Sequence, residues 1–324
     1  MSASAPPSPS GSFVARPFRF GVQASTTGTR AEWVELARKV EALGYSALTM
    51  PDHFNQQLAP VPALQCAADA TTTLRLGALV YDNDYKHPVV LAKELATMDV
   101  LSDGRVDIGL GAGWMATDYE QAGIPYDPPG VRVSRMFEGV AVIKGALTGE
   151  LFSFNGEHYQ ISGYQGYPKP AQTSPPWLIG GGAPRVLTFA AQQADIIGIN
   201  GNLKSGAIDA TTYESMTAES VDEKVRWVVD AASAAGRLEA IEMNVRAFIV
   251  SVTDDVDGTM AMMASFISAP EDLVRNTPFA LVGPSTKLID DLRARRERWG
   301  FSYVIVGQSD VEAFAPVVAE LAGT

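Results

Sequence analysis

Cysteine is almost absent. Cys66 stands alone among 324 residues, which excludes a disulfide within the chain and any metal site built from several thiolates. Histidine is nearly as scarce: His53, His87 and His158 show none of the spacing that sets two imidazoles on one helical face, so no metal is expected. Positive charge is short as well, with 25 Lys and Arg against 37 Asp and Glu and a net charge of −12. The acidic residues are scattered, and no basic patch of the kind that nucleic acid or an anionic membrane surface attracts is visible. No apolar run reaches the roughly 20 residues of a membrane span. The first sixteen residues, rich in Ser, Pro and Ala, lack the apolar stretch of a secretory signal and read as a flexible tail, residues 1–16. With its single thiol, the chain is expected to be cytoplasmic.

What is present is a large core and a regular alternation. Hydrophobic residues make up 46% and charged residues 19% of the chain, the profile of a globular protein. From Phe18 onward, short continuously apolar runs alternate with helical patterns. Strands are predicted at 18–23, 46–50, 74–80, 105–110, 176–180, 195–199, 243–251 and 302–306. Helices are predicted at 31–43, 61–71, 88–101, 131–148, 184–194, 219–236, 256–275, 285–299 and 310–322. Strands that are apolar on both faces belong to a parallel sheet covered by helices, and eight of them favour a closed barrel over an open sheet. A single domain over residues 17–324 is therefore expected, with two excursions. Around Asn155-Gly156 an apolar-polar alternation predicts a hairpin insertion within 150–175. The polar stretch 201–218, with no clear period, is either a lid or a plain surface loop.

In such a barrel, residues just past the carboxyl ends of strands converge on the active site. Asp52-His53 follows the second predicted strand, where an imidazole can exchange protons near neutral pH and a carboxylate can tune it; a solvated loop pair explains the spacing equally well. Gly109-Leu110-Gly111-Ala112-Gly113-Trp114 ends the fourth strand. Small residues there let a planar ring approach the backbone with Trp114 as a wall, or they ease barrel packing around a buried Trp. Gly180-Gly181-Gly182-Ala183-Pro184 runs from a strand into a helix and is a candidate phosphate cradle, a tight turn being the alternative. It is neither a GxGxxG fingerprint nor a P-loop. Cys66, His87 and His158 are assigned structural roles.

The succession Leu79-Val80-Tyr81-Asp82-Asn83-Asp84-Tyr85-Lys86-His87-Pro88, then Leu91-Ala92-Lys93-Glu94, then Asp99-Val100-Leu101-Ser102-Asp103-Gly104-Arg105 leading to Gly109 through Trp114 resembles the bacterial luciferase-like superfamily. Within it the chain is most similar to the branch using the deazaflavin coenzyme F420. The resemblance covers about Phe18 to Gly307 and implies an α/β fold, a (β/α)₈ TIM barrel with insertions. It implies that His53, with Asp52, handles a proton at the hydride-transfer face. A bulge with a non-proline cis peptide is implied at Leu79-Val80, backing the ring. Further coenzyme contacts are implied at Asn83, Gly111 and Gly113, and phosphate contacts at Gly180, Gly181, Gly182 and Ala183. Some sugar-phosphate dehydrogenases of the family carry a glutamate where Trp114 stands, so an apolar or aromatic substrate is expected instead. The activity implied is an F420-dependent oxidoreductase. The alternatives are an FMN-using two-component monooxygenase fed by a partner reductase, and a barrel that only binds the coenzyme. A homodimer is implied as well.

Overall fold

Strands with no face for water must be covered on both sides, and the chain does this by closing its sheet on itself inside a ring of helices. The computed structural model describes residues 13–26 and 28–324. Eight barrel strands are numbered in chain order: β1 Arg19–Gln23, β2 Ala47–Met50, β3 Arg75–Ala78, β4 Ile108–Gly111, β5 Trp177–Gly181, β6 Ile196–Ile199, β7 Glu242–Arg246 and β8 Phe301–Gly307. All neighbours are parallel, in the order β3-β2-β1-β8-β7-β6-β5-β4. A ninth strand, Tyr81–Asp82, pairs with the end of β4. The ends of the sheet meet where Leu76 bridges Val106, its amide donating to the Arg105 carbonyl and its own carbonyl accepting from the Asp107 amide, each at 2.9 Å. The result is a nearly closed parallel barrel.

Side chains alternate along each strand. Phe20, Val22, Leu48, Leu76, Ile108, Leu110, Ile197 and Val304 point outward into the layer under the helices. A smaller inner set, Ala47, Leu178, Ile196, Tyr303 and Ile305, fills the barrel with Leu79 and Val80 packed against it. Below Tyr303 the base of the barrel is ionic. Arg19 donates to Glu242 at 2.8 Å from Nε and 2.6 Å from Nη2, and its Cζ lies 3.6 Å from the centre of the Tyr303 ring. Arg75 Nε donates to Asp107 at 2.7 Å, and Asp107 also faces Arg19 at 3.6 Å. Burial works against the charge on Arg19, but Tyr303, Glu242 and Asp107 outweigh it and hold the guanidinium above its ordinary value.

The predicted elements stand within a few residues of those observed, with four differences. The run predicted as strand 74–80 stops at Ala78 and resumes at Tyr81, because the chain bulges at a cis Leu79-Val80 peptide. The predicted strand 243–251 is two: β7 leaves the barrel after Arg246, and Ile249–Val252 pairs instead with Ala280–Gly283, a strand masked in the sequence by flanking Pro278 and Pro284. The predicted helix 256–275 is broken into Val256–Phe266 and Glu271–Asn276 at Ser268, whose φ is 54°, two residues before Pro270. A short helix, Ala116–Ala122, sits in the stretch after β4; seven residues are too few to show a period.

The excursions are also visible. Leu151–Asn155 and Gln160–Gln165 form an antiparallel hairpin, pinned because Glu138, on helix Pro129–Leu147, accepts from the amides of Glu157, His158 and Tyr159. Within 201–218 lies a five-residue helix, Ala210–Glu214. The buried Lys224 ammonium holds this stretch by donating to the carbonyls of Asn200, at 2.9 Å, and Ser215. Residues 1–12 of the expected tail lie outside the described residues. Of the remainder, Phe13 packs on the core and Arg16 donates to the Ile241 and Glu239 carbonyls, each at 2.9 Å. Cys66 is partly buried against the core, and His87 caps helix Pro88–Leu101 through the Val89 amide at 3.3 Å. Among the described residues no helix is long and apolar enough to cross a membrane.

The ionic base makes a prediction. Arg19→Met strips Glu242 of its partner, and removing one member of a buried ion pair costs about 3 to 5 kcal/mol. Urea denaturation should show a loss of about that size, largely recovered in Arg19→Met/Glu242→Leu; an unchanged midpoint in the single variant would contradict this account of the base.

Candidate functional site at the mouth of the barrel

Three strand exits build one wall of the mouth. The first, after β2, carries Asp52 and His53. The His53 Nδ1 lies 2.6 Å from Asp118 Oδ2, and Tyr85 donates its hydroxyl to the same oxygen at 3.1 Å. A carboxylate only accepts, so Nδ1 carries the hydrogen and Nε2 is left for an incoming group. The Trp114 ring meets the imidazole edge-to-face, 5.8 Å between centres and 89° between planes. His53 is thus held on two sides while its other nitrogen stays available.

The second exit, after β3, is the cis Leu79-Val80 bulge. The Leu79 amide donates to the Met50 carbonyl at 2.7 Å, and the Leu79 carbonyl accepts from Gln23 Nε2 at 3.0 Å. Asp52 braces the same segment: its Oδ2 accepts the Asp82 amide at 3.1 Å. Burial pushes the Asp52 carboxyl above its ordinary value. Asp52 therefore works on the backbone of the bulge, and its neighbour His53 takes its carboxylate partner from elsewhere.

Behind the bulge lies an acidic knot. The Tyr119 hydroxyl is within 3.2 Å of Asp82 Oδ1, 3.0 Å of Asp82 Oδ2 and 3.1 Å of Asp84 Oδ2, so two carboxyl groups share one hydroxyl hydrogen. Burial, then the charges of Asp84 and Asp52, raise Asp82 to about 7, against the opposing hydrogen bonds from the Asp84 amide and Tyr119.

The third exit, after β4, explains its glycines by packing. A Cβ on Gly111 would sit 2.5 Å from Val80 Cγ2, so this position is small to admit the bulge. Gly113 has φ +71°, and a side chain there would strike Tyr119 and Asp82. Its carbonyl accepts from the buried Arg132, which also donates to the Asp127 carbonyl at 2.9 Å and stacks over Tyr126. This clamp sets the direction of Trp114. Asn83 is not turned toward the mouth: its amide donates to the hairpin's Tyr159 hydroxyl at 3.0 Å, while its oxygen packs against Gly139.

Across the mouth, β5 runs into Gly180-Gly181-Gly182-Ala183 and helix Pro184–Gln193. Ala183 offers no side-chain cap to the first turn, leaving amides there for an anion. A Cβ on Gly180 would meet nothing nearer than the Gly198 carbonyl at 3.5 Å, so packing does not demand glycine; its absence of a side chain keeps space open inside the mouth. Gly182 instead is forced by the loop after β6, whose Gly201 backbone a Cβ would strike. Arg185 points away and donates to Gly130 and Ser134.

A family profile described as luciferase-like monooxygenase matches residues 12–303. The chain belongs to that family. Among luciferase-like relatives, it is 28% identical over 200 residues to an FMNH(2)-dependent dimethylsulfone monooxygenase of Pseudomonas putida, covering 61% of this chain and 50% of the relative. It is also 28% identical over 173 residues to an F420-dependent glucose-6-phosphate dehydrogenase of Amycolatopsis mediterranei, covering 50% and 51%. The chain thus spans about half the length of these curated relatives. In three dimensions it superimposes on the coenzyme F420 dependent tetrahydromethanopterin reductase of Methanopyrus kandleri with a TM-score of 0.78, 18% identity and coverage of 94% of this chain and 98% of the other, a likeness of fold.

Residues that the sequence left unmarked complete this site: Asp118, Tyr85, Tyr119, Gln23 and Arg132. Asp118 lies 65 positions from His53 on the short helix with no readable period. The one signal was its place just after Trp114, on a strand exit.

The acidic knot gives a pH prediction. Asp82 is raised from 3.8 to about 7 in the folded chain, so the folded state binds the extra proton. Its stabilising contribution is complete below about pH 4 and is lost as pH rises through about 7. Asp82→Asn, which imitates the protonated form, should exceed the wild type by about 1 kcal/mol or more at pH 8 in urea denaturation, with the gap closing toward pH 4. A gap that does not change with pH would contradict it.

Proposed function

We propose that the protein is a deazaflavin (F420)-dependent oxidoreductase that transfers a hydride between the coenzyme and a small organic substrate. The observation that carries the reading is the His53-Asp118 pair: an imidazole fixed at Nδ1, with Nε2 free at a barrel mouth, suits a reaction in which a proton accompanies a hydride. When bound, the deazaflavin supplies or accepts that hydride at its ring. The chain's own residues do the rest. The Leu79-Val80 bulge, braced by Asp52, Gln23 and Met50, offers a firm apolar support for a ring face. The open space over Gly180 and the uncapped start of helix Pro184–Gln193 receive a phosphate. His53 holds and passes the proton at Nε2, Asp118 keeps its ring oriented, and Trp114 walls the substrate side with an apolar surface. The F420-dependent relative from Amycolatopsis mediterranei supports the choice of coenzyme.

Spectral titration tests the coenzyme: F420 should bind and FMN should bind more weakly. Tight FMN binding without F420 binding would overturn the reading. For the proton, His53→Ala should lower kcat by about 10²- to 10⁴-fold. Asp118→Asn should keep coenzyme affinity while lowering kcat and displacing the pH profile. Full turnover in His53→Ala would remove the residue from the mechanism.

A second reading, a monooxygenase using reduced FMN from a partner reductase, is favoured by the Pseudomonas putida relative. Oxygen consumption with reduced FMN and candidate substrates separates it from the first.

We also propose that the protein works as a homodimer through helix Pro88–Leu101. Its inner side buries Leu91, Leu95 and Met98, yet its outer side exposes Val90, Val100 and Leu101. These exposed apolar side chains stand beside Lys93, Glu94 and Thr97, and a second copy would cover this face and the adjoining cavity of about 420 Å³ against helix Pro60–Ala70. Sedimentation should give a dimer, and Val90→Glu/Leu101→Glu a folded monomer; a wild-type monomer would refute the assignment.

A further inference from the structure

The barrel interior holds an arginine at each end, and the two are treated differently. Arg19 at the base has two carboxylate partners. Arg246, the last residue of β7, lies on the same inward-facing row as Glu242 and Asn244 and so reaches the mouth. Its hydrogen-bond partners among the described residues are all neutral oxygens: Gln23 Oε1 at 3.1 Å and the carbonyls of Ala247 and Ile305. Its Nη2 has none of them. The nearby acid, Asp310, turns its oxygens to the Gly307 amide and the Ser309 hydroxyl. Burial lowers the guanidinium to about 10, with Asp310 opposing, which leaves it charged at neutral pH.

Arg132, on the other side of the mouth, engages Nε, Nη1 and Nη2 at once. Arg246 is half-buried, is pinned through Nε by an amide that also grips the Leu79 carbonyl, and keeps an N–H edge unspent beside Phe248, whose ring centre is 5.4 Å from Cζ. The opposite wall carries Asp52, Asp82 and Asp118, with Asp84 paired to Arg135 at 3.0 Å, so an anion entering the mouth meets acceptors there and an unspent donor edge at Arg246.

We propose that Arg246 is an anion anchor that selects substrates with a carboxylate at one end of an apolar or aromatic body. The guanidinium fork takes the carboxylate, Phe248 and Trp114 take the apolar part, and the reacting carbon is thereby presented toward His53. This names the substrate class of the site proposed above and rests on that reading for the reaction, though not for the binding.

The test uses matched pairs, benzoate with benzamide and phenylacetate with phenylacetamide, with affinities for the coenzyme-free full chain read by saturation-transfer NMR or calorimetry. Coenzyme affinity is measured separately by spectral titration, so failure of the coenzyme reading and failure of the anchor are told apart. Each acid should bind about ten- to a hundredfold more tightly than its amide. Arg246→Met should erase that preference while leaving amide affinity unchanged, and Arg246→Lys should retain part of it. Acids that bind no better than amides, or a preference that survives Arg246→Met in a variant with wild-type circular dichroism, would overturn the proposal.

Discussion

The meeting of β3 with β4 is the constraint on which the rest of the molecule depends. Seven of the eight strand junctions are parallel ladders, one of them, β7 with β8, shifted in register between Met243 and Asn244; that of β3 with β4 is a bridge at Leu76 and Val106, then a gap, then a resumed pairing at Tyr81 and Leu110. Backbones cross so closely there that Gly77 and Gly109 have no space for a side chain, and the Val80 side chain fills the space beside Gly111. The material squeezed out of the gap is the Leu79-Val80 bulge, which thereby projects into the mouth. Asp52, Asp82, Tyr119 and Gly113 are arranged around it as supports. The feature that closes the barrel and the feature that furnishes the site are therefore one.

Polarity inside the barrel follows from the same geometry. An interior poor in large side chains needs a plug, and Tyr303 with Arg19 beneath it supplies one at the base, where carboxylates neutralise the cation. At the other end acids gather behind the β2 to β4 exits, Asp84 among them paired with Arg135, while Arg246 on β7 has no carboxylate partner among the described residues. A strongly acidic molecule can in this way hold a local positive site, because the competing carboxylates are either tied to amides and hydroxyls or share a proton.

Much of this could be read from the residues alone. Eight apolar runs with helices between them indicated the barrel, and Asp52, His53, Trp114 and the Gly180 to Ala183 turn stand at the mouth as their positions at strand ends implied. What escaped was of two kinds. Asp118 and Tyr119 sit on a helix of seven residues, where amphipathic periodicity has no length in which to show. Gly111 and Asn83 were legible as unusual residues, but the structure packs one against the Val80 side chain and ties the other to the hairpin, contacts that depend on neighbours distant in sequence. Strand Ala280–Gly283 was hidden by prolines that mark its ends.

Gln23 joins the two sides of the mouth through a single amide, its nitrogen on the Leu79 carbonyl and its oxygen on Arg246. A side-chain amide gives at one end and receives at the other. A glutamate would face the Leu79 carbonyl with a second acceptor, and a chain that lost the β7 cation would strand the Gln23 oxygen in the floor. Positions 23 and 246 should consequently drift together among relatives, as a correlated pair recording each change of ligand.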